Sequence, residues 1–295
     1  MSIEGRRDFA AHGITASFRF EGYSDRGSVR RVNEDSFIAS PPVFVVADGM
    51  GGHAYGDRAS QAAIAAFADS IDMTAPASAR EVLATIARAN DAVLALTDNA
   101  QVAVISGTTL TGVALVDIGS SDNYHWMAFN VGDSRTYSWD GRTLTQVTVD
   151  HSAVQELIDL GELSRADAEH HPHRNVVTRA LGADTVVDPD IWILPARARQ
   201  TFLLCSDGLT KELSDDEIAR IIVFHDAEQL RESDNLPLTL AERLVRAAVA
   251  AGGSDNITVV LIECELTGVV GGDIGDDTHE RGNLPGVLED TRPRG

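Results

Sequence analysis

Four aspartates, each standing where an apolar run breaks into a small or polar turn, constrain this 295-residue chain more than any other feature. They are Asp48 in Val45-Val46-Ala47-Asp48-Gly49, Asp133 in Asn130-Val131-Gly132-Asp133-Ser134, Asp207 in Leu204-Cys205-Ser206-Asp207-Gly208, and Asp255 in Gly252-Gly253-Ser254-Asp255-Asn256. A single Asp-Gly pair after a strand is ordinary turn chemistry. Four at strand ends are different, because adjacent strands can deliver all four side chains to one edge of a sheet, where like charges require cations.

Periodicity supplies the elements around them. Thr15–Phe20 alternates and Val43–Ala47 is a compact apolar run ending at Asp48, both strand signatures. Over 57–72 and 78–97, apolar residues recur at spacings of three and four, which predicts two amphipathic helices. Strand character returns over 108–139, and Asp140-Gly141 makes a tight hairpin into 143–149. Further strands are expected at 186–194, 201–206 and 256–264, and helices at 214–223 and 238–251. Strands and helices in blocks suit an antiparallel, mixed α+β architecture better than an alternating, doubly wound sheet. The polar, His-rich stretch 152–182, with short helices at 152–160 and 164–169, reads as an irregular flap in one domain spanning 1–267. Residues 268–295 are rich in Gly, Asp, Pro and Arg without periodicity, the composition of a disordered acidic tail.

The balance of 45 acidic against 24 basic residues, a formal charge of −21, argues against nucleic acid or an anionic membrane surface as the main partner. Part of that excess acid can belong to a metal site. Cys205 and Cys264 lie inside apolar runs and read as buried free thiols in a reducing compartment. The chain shows no apolar span of about 20 residues, and Met1-Ser-Ile-Glu-Gly-Arg-Arg lacks a signal-peptide core, so the expectation is a cytoplasmic, unanchored monomer.

The aspartates offer carboxylate oxygens without thiolates, which suits Mg²⁺ or Mn²⁺ more than Zn²⁺. Gly49, lacking a side chain, allows close backbone approach, so its carbonyl is a candidate ligand beside Asp48. Two such cations about 3.5–4 Å apart can share a water and lower its pKa toward neutrality, which makes hydrolysis the natural chemistry. A phosphate ester also needs a bidentate cation, and Arg30 or Arg31 can supply a guanidinium. Ser206 lies in no Gly-x-Ser-x-Gly elbow and neither cysteine has an activating sequence, so water is the better nucleophile.

In order, Asp25-x-Gly-x-Val-Arg-x-x-Asn-Glu-Asp35, Asp48-Gly-Met-Gly-Gly-His53, Ser106-Gly-Thr-Thr109, Val131-Gly-Asp-Ser-Arg135, Asp150-His-Ser152, His171-Pro-x-Arg-Asn-Val-Val-Thr-Arg-Ala-Leu-Gly182, Ser206-Asp-Gly-Leu209 and Asp255-Asn-Ile-Thr258 resemble the motifs of one family. It is that of the metal-dependent protein phosphatases of the protein phosphatase 2C type, in their compact bacterial form, and the resemblance runs nearly end to end. It implies a four-layer αββα sandwich of two antiparallel sheets flanked by helices, with metals at one end between the sheets. By motif position, Asp48 bridges two metals, the Gly49 carbonyl completes the second, and Asp207 and Asp255 hold the first. Asp133 with Asp207 forms a third, weaker site, Glu34 accepts hydrogen bonds from metal-held water, and Arg30 binds phosphate.

For His53 two roles stay open, proton donation to the leaving alkoxide or a hydrogen bond behind the metal ligands. Met50 stands where some relatives carry an acid histidine, so the general acid is unassigned. His151, His170, His171 and His173 read as helix caps or flap contacts before they read as a zinc site. The implied activity is hydrolysis of phosphoserine and phosphothreonine in proteins by direct attack of water held between Mn²⁺ or Mg²⁺ ions, opposing a Ser/Thr kinase. The rivals are a regulatory module without turnover, which the full set of carboxylates disfavours, and a hydrolase of small phosphoesters, which only substrate comparison separates.

Overall fold

Alternation along the strands sorts the apolar side chains into three layers of core. The structure, a computed structural model, describes residues 1–11, 14–51, 55–98, 106–117, 124–168, 170–232 and 238–268. His53 and all of the expected tail beyond Gly268 lie outside the described residues. In chain order the elements are β1 (Ser2–Ala11), β2 (Ile14–Asp25), β3 (Asp35–Ser40), β4 (Val43–Gly51), α1 (Gly56–Ser70), β5 (Ala77–Ser78), α2 (Ala79–Asp98), β6 (Ser106–Thr108), β7 (Leu110–Asp117) and β8 (His125–Val131). There follow β9 (Arg135–Trp139), β10 (Leu144–Gln146), α3 (Ala153–Asp159), α4 (Arg165–Ala168), β11 (Asp190–Pro195), β12 (Arg199–Cys205), α5 (Asp207–Glu212), α6 (Asp215–Glu232), α7 (Leu240–Ala251) and β13 (Ile257–Thr267).

One sheet has the order β1-β2-β13-β12-β9-β10 and the other β11-β8-β7-β4-β3, with β6 beside β4 and the two-residue β5 beside β7. Pairing is antiparallel throughout except for β5 on β7. The two sheets face each other across Phe18, Phe44, Val46, Trp126, Phe202 and Ile262. Residues of opposite parity on the same strands, such as Val43, Val45 and Ala47, turn outward and pack under Ala63 and Phe67 of α1 and Ile86 of α2. On the other sheet Leu203, Cys205 and Val259 pack under Ile218 of α6 and Leu244 of α7. This is the four-layer αββα sandwich. Helices cover both outer faces because both faces are apolar, and each fully buried Leu or Phe contributes roughly 1.5–3 kcal/mol.

Four elements depart from the sequence reading. β1 and the six-residue α5 were not expected, α6 runs to Glu232 rather than ending at 223, and β11 begins at Asp190 rather than 186. Segment 152–182 does carry two short helices, and it is tied down by bridges between Ser152 and Val177 and between Thr108 and Leu181. Cys205 and Cys264 are free and buried. Among the described residues no helix is long and apolar enough to cross a membrane.

Glu21 is the unusual polar group in this packing. It lies on the outward parity of β2 and accepts a hydrogen bond from the Ala241 amide (2.6 Å) at the start of α7. Burial, opposed by that amide and reinforced by Glu4 and Glu263, pushes its carboxyl up to about 7. A folded-state pKa above the ordinary carboxyl value means that stability is fully present below about pH 4.5 and declines as pH rises toward 7. Glu21→Gln keeps the acceptor and removes the charge. It should leave stability unchanged near pH 4.5 and raise it at pH 8 by on the order of 1–3 kcal/mol, read from denaturant unfolding at the two pH values.

Candidate metal centre

The alternation that fills the inter-sheet core also places the first two carboxylates. On β3, Phe37 and Ala39 point between the sheets, and Asp35 shares their parity. On β4, Phe44 and Val46 point the same way, and Asp48 continues that series at the strand's end. Asp35 and Asp48 are directly opposed in the β3–β4 ladder. Like charges in that position repel. From the facing sheet, Ser206 and Thr258 hydroxyls donate to Asp35 Oδ2 (2.8 and 2.7 Å), while Asp35 Oδ1 is buried with no hydrogen-bond partner. Burial pushes the Asp35 carboxyl up to about 7, against the pull of Thr258 and Ser206 and with the repulsion of Asp207 and Asp255. Asp48 is driven well above the carboxylate range by burial, then by Asp35, Asp207, Asp133 and Asp255.

The other three carboxylates sit on turns. Asp133 follows Gly132, whose φ of +109° is a left-handed conformation that glycine adopts without strain. The Gly132 amide donates to His151 Nδ1 (3.1 Å) and its carbonyl accepts from the His151 amide (2.9 Å), so the turn is clamped from the segment that follows β10. Asp133 is buried, and its carboxyl is pushed up to about 7 by burial and by Asp207 and Asp150, with Lys211 opposing. Asp207 opens α5, and Asp255 lies in the turn before β13. Lys211 Nζ reaches both, at 2.5 Å from Asp207 Oδ2 and 2.8 Å from Asp255 Oδ2. Arg30 adds a bidentate contact to Asp255, Nε to Oδ1 at 2.8 Å and one terminal nitrogen to Oδ2 at 2.9 Å. Burial alone would raise the Asp255 carboxyl, but Lys211, the Asn256 amide and Arg30 together hold it below the usual range. For Asp207 burial outweighs Lys211 and the carboxyl stays raised, with Oδ1 buried and unpartnered.

Backbone and amide contacts bind these pieces together. Asn256 accepts the Glu34 amide (2.8 Å) and donates to the carbonyls of Arg26 and Val32 (2.9 Å each), which pins the Arg30 loop to the Asp255 turn. The Glu34 carbonyl accepts the Gly49 amide (3.1 Å), and burial, ahead of Arg30, raises the Glu34 carboxyl. A side chain at Gly49 would collide with the Gly56 carbonyl, so this position is closed to any other residue.

The structure therefore gathers Arg30, Glu34, Asp48, Gly49, Asp133, Asp207 and Asp255 at one end of the sandwich. One expectation is corrected: the aspartates do not line one edge of one sheet. Asp48 comes from β4, Asp207 from the start of α5 just after β12 of the facing sheet, Asp255 from the turn before β13 of that sheet, and Asp133 from the turn between β8 and β9, which joins the two sheets. The reason is that only Asp35 and Asp48 continue the inward parity of their strands, whereas Asp133, Asp207 and Asp255 are delivered by the connections after β8, after β12 and before β13. Two members were missed. Asp35 is legible as the inward parity of Phe37 and Ala39; Lys211 has no signal beyond its spacing of four from Asp207. His151 is engaged by Gly132 and lies 3.4 Å from Asp190, while the His171 and His173 rings are 5.4 Å apart.

Among the described residues no three His, Cys, Asp or Glu side chains already close on one metal position. Lys211 and Arg30 occupy the oxygens of Asp207 and Asp255 instead. The donor set nonetheless fits hard divalent cations. It is all oxygen, it includes buried, unpartnered oxygens on Asp35 and Asp207, and four of its carboxyls are raised by burial and one another.

Residues 28–246 match the family model described as protein phosphatase 2C. The chain is 35% identical over 254 residues to the serine/threonine phosphatase stp of Listeria monocytogenes, an alignment covering 83% of this chain and 95% of that protein. It is 36% identical over 252 residues to the serine/threonine protein phosphatase PstP of Mycobacterium tuberculosis, covering 85% of this chain and 46% of that longer protein. Among solved structures, that of M. tuberculosis PstP/Ppp superposes with a TM-score of 0.71 at 36% identity, covering 83% of this chain and 97% of that one. The catalytic domain of PstP in complex with two manganese ions superposes with a TM-score of 0.69 at 34% identity, covering 85% and 99%.

The opposition of Asp35 and Asp48 gives a stability prediction that crosses over with metal. At pH 8 in EDTA, Asp48→Asn should raise the thermal midpoint by about 2–4 °C, the shift that ~1 kcal/mol of relieved repulsion produces. With excess Mn²⁺ the order should reverse, because only the wild type gains from binding. Differential scanning calorimetry under both conditions checks it.

Proposed function

The chain belongs to the protein phosphatase 2C family, and on that premise we propose that the aspartate cluster at the mouth of the sandwich hydrolyses phosphoserine and phosphothreonine in proteins. The protein is a serine/threonine protein phosphatase, a hydrolase that uses Mn²⁺ or Mg²⁺. The observation that carries the site assignment is the convergence of Asp48, Asp133, Asp207 and Asp255 from both sheets onto one mouth, with oxygens left unpartnered inside it.

In this reading Asp48, the Gly49 carbonyl, Asp207 and Asp255 would hold two cations, and Asp133 with Asp207 would hold a weaker third. When bound, the cations neutralise phosphoryl oxygens and supply a water acidified toward neutrality. The remaining work falls to the chain. Asp35, held by Ser206 and Thr258, keeps the β3 and β12 strand ends in place around Asp48. Glu34 lies beside Gly49 and accepts a hydrogen bond from the attacking water, fixing its approach. Arg30 is half-exposed beside the cluster; its guanidinium, held here by Asp255, would orient two phosphoryl oxygens on release from that carboxylate. The seryl or threonyl leaving group needs a proton, and with His53 outside the described residues its donor is not assigned to a residue.

The regulatory-module rival lacks support, since every carboxylate that the activity requires is present. A cytoplasmic location, a signalling role opposite a Ser/Thr kinase and a monomeric state are part of the proposal. They rest on the family resemblance, and the formal net charge of −21 disfavours an anionic membrane surface as a partner.

Purified protein should release phosphate from a phosphothreonine peptide in Mn²⁺ and not in EDTA. Asp207→Asn should abolish release, whereas Asp133→Asn should lower it and raise the Mn²⁺ concentration needed; full activity in Asp207→Asn would remove that residue from the site. Arg30→Ala should raise KM for a phosphate monoester about tenfold, the scale of a lost charge-assisted pair. An unchanged KM would exclude Arg30 as a phosphate ligand.

A further inference from the structure

Lys211 is a cation inside a site built to attract cations. It lies one helical turn after Asp207 on α5, and its ammonium contacts Asp207 Oδ2 and Asp255 Oδ2 at 2.5 and 2.8 Å. Those two carboxylates come from separate elements. They are held in register without any metal, because Glu212, the next residue on α5, accepts the Ser254 amide (2.7 Å) of the Asp255 turn. The point at which both carboxylates can be touched at once is therefore preformed, and Lys211 fills it.

We propose that Lys211 is a resident counter-ion of the Asp207–Asp255 pair, one that neutralises the pair in the metal-free protein and must swing out before a divalent cation binds there. The inference rests on the reading of Asp207 and Asp255 as metal ligands. Three observations carry it. A divalent cation bridging Asp207 and Asp255 would compete with the ammonium for the same pair of carboxylates, and two positive charges repel strongly at that distance. Asp207 keeps a second oxygen, Oδ1, that is buried and unmet by Lys211, so the carboxylate is only half satisfied by its internal partner. The Lys211 side chain is 26% exposed, and its flexible stem and strongly hydrated head give the ammonium a path to water that a fully enclosed lysine would lack.

Arg30 does not substitute for Lys211 in this role. Its guanidinium holds Asp255 only, through Nε and one terminal nitrogen, and makes no hydrogen bond to Asp207. Removing Lys211 thus leaves Asp207 facing Asp35, Asp48 and Asp133 with Arg30 as a more distant cation and none in contact, which strengthens the site's demand for a metal and weakens the metal-free fold.

The test is isothermal titration of Mn²⁺ into the full chain, with thermal unfolding in EDTA alongside, for wild type, Lys211→Met, Lys211→Gln and Lys211→Arg. The glutamine variant can bridge both carboxylates without charge, so the comparison survives if Lys211→Met does not fold in EDTA. One Mn²⁺ site should bind about tenfold tighter in Lys211→Met and Lys211→Gln, the scale on which a unit charge acts across a few ångström at a protein surface. The same two variants should unfold at lower temperature in EDTA, and Lys211→Arg should restore wild-type behaviour in both measurements. Unchanged Mn²⁺ affinity in the neutral variants would make Lys211 a surface cation and overturn the proposal. Weaker Mn²⁺ binding in them would also overturn it, by making Lys211 a support of the ligands. Asp207→Asn separates the two levels of argument: undiminished Mn²⁺ binding in that variant would remove Asp207 from the ligands, and the counter-ion role would fall with it.

Discussion

Two carboxylates facing each other across neighbouring strands, Asp35 on β3 and Asp48 on β4, set the terms for this end of the molecule. Their repulsion works against the ladder that joins the strands, at a cost on the order of 0.2–1 kcal/mol per pair. The same two strands carry Phe37, Phe44 and Val46 into the core between the sheets. Burial of each such side chain is worth roughly 1.5–3 kcal/mol, so the sandwich wins locally and the carboxylates stay where the strands put them. The site is thus a place where the fold spends stability, held by a core that lies one residue pair away.

The polar groups around Asp35 show how that repulsion is contained without being cancelled. Thr258 and Ser206 hydroxyls meet one oxygen only, and each is itself held: Ser24 Oγ lies 2.7 Å from Thr258 Oγ1, Asn33 donates to Ser24, and the Thr258 amide donates to Ser206. On the opposite side the Asp48 amide donates to Thr109, whose hydroxyl lies 2.7 Å from Ser134 next to Asp133. These hydroxyl and amide groups fix backbone positions while leaving carboxylate oxygens unpartnered. A site selected for stability alone would have satisfied them.

The main architecture was legible because both sheets bury both faces, so their strands stand out as apolar runs and the aspartates that end them stand out as interruptions. What escaped reading has specific physical causes. Most of β1 is solvent-exposed and is held by its ladder to β2, so Ser2-Ile-Glu-Gly-Arg-Arg carries little of the alternation that a half-buried strand shows. The C-terminal part of α6 presents Val223, Phe224 and Leu230 to solvent, which blurs the apolar stripe that would have revealed its length. α5 is too short for a period to register. Val186 is exposed, and the apolar pair at 186 and 187 belongs to the approach to β11 rather than to the strand. At the site itself, the aspartates stand out as interruptions of apolar runs, but Lys211 and its double contact depend on how α5 and the Asp255 turn approach each other. No local pattern encodes that approach.

The cluster is supported in two halves, and the halves answer to different parts of the chain. Asp207 and Asp255 are coupled through Lys211, Arg30 and the Glu212–Ser254 contact, all within α5, the Asp255 turn and the loop before β3. Asp133 depends instead on Gly132, which is clamped by His151; the His151 carbonyl accepts the Thr178 amide, and its ring lies against Asp190 and Arg179. Asp133 is therefore mechanically linked to the 152–182 segment. Displacement of that segment would reach Asp133 through two backbone hydrogen bonds, and Asp48 through the Leu181–Thr108 bridge and the Thr108 hydroxyl that donates to the Asp48 carbonyl (2.9 Å).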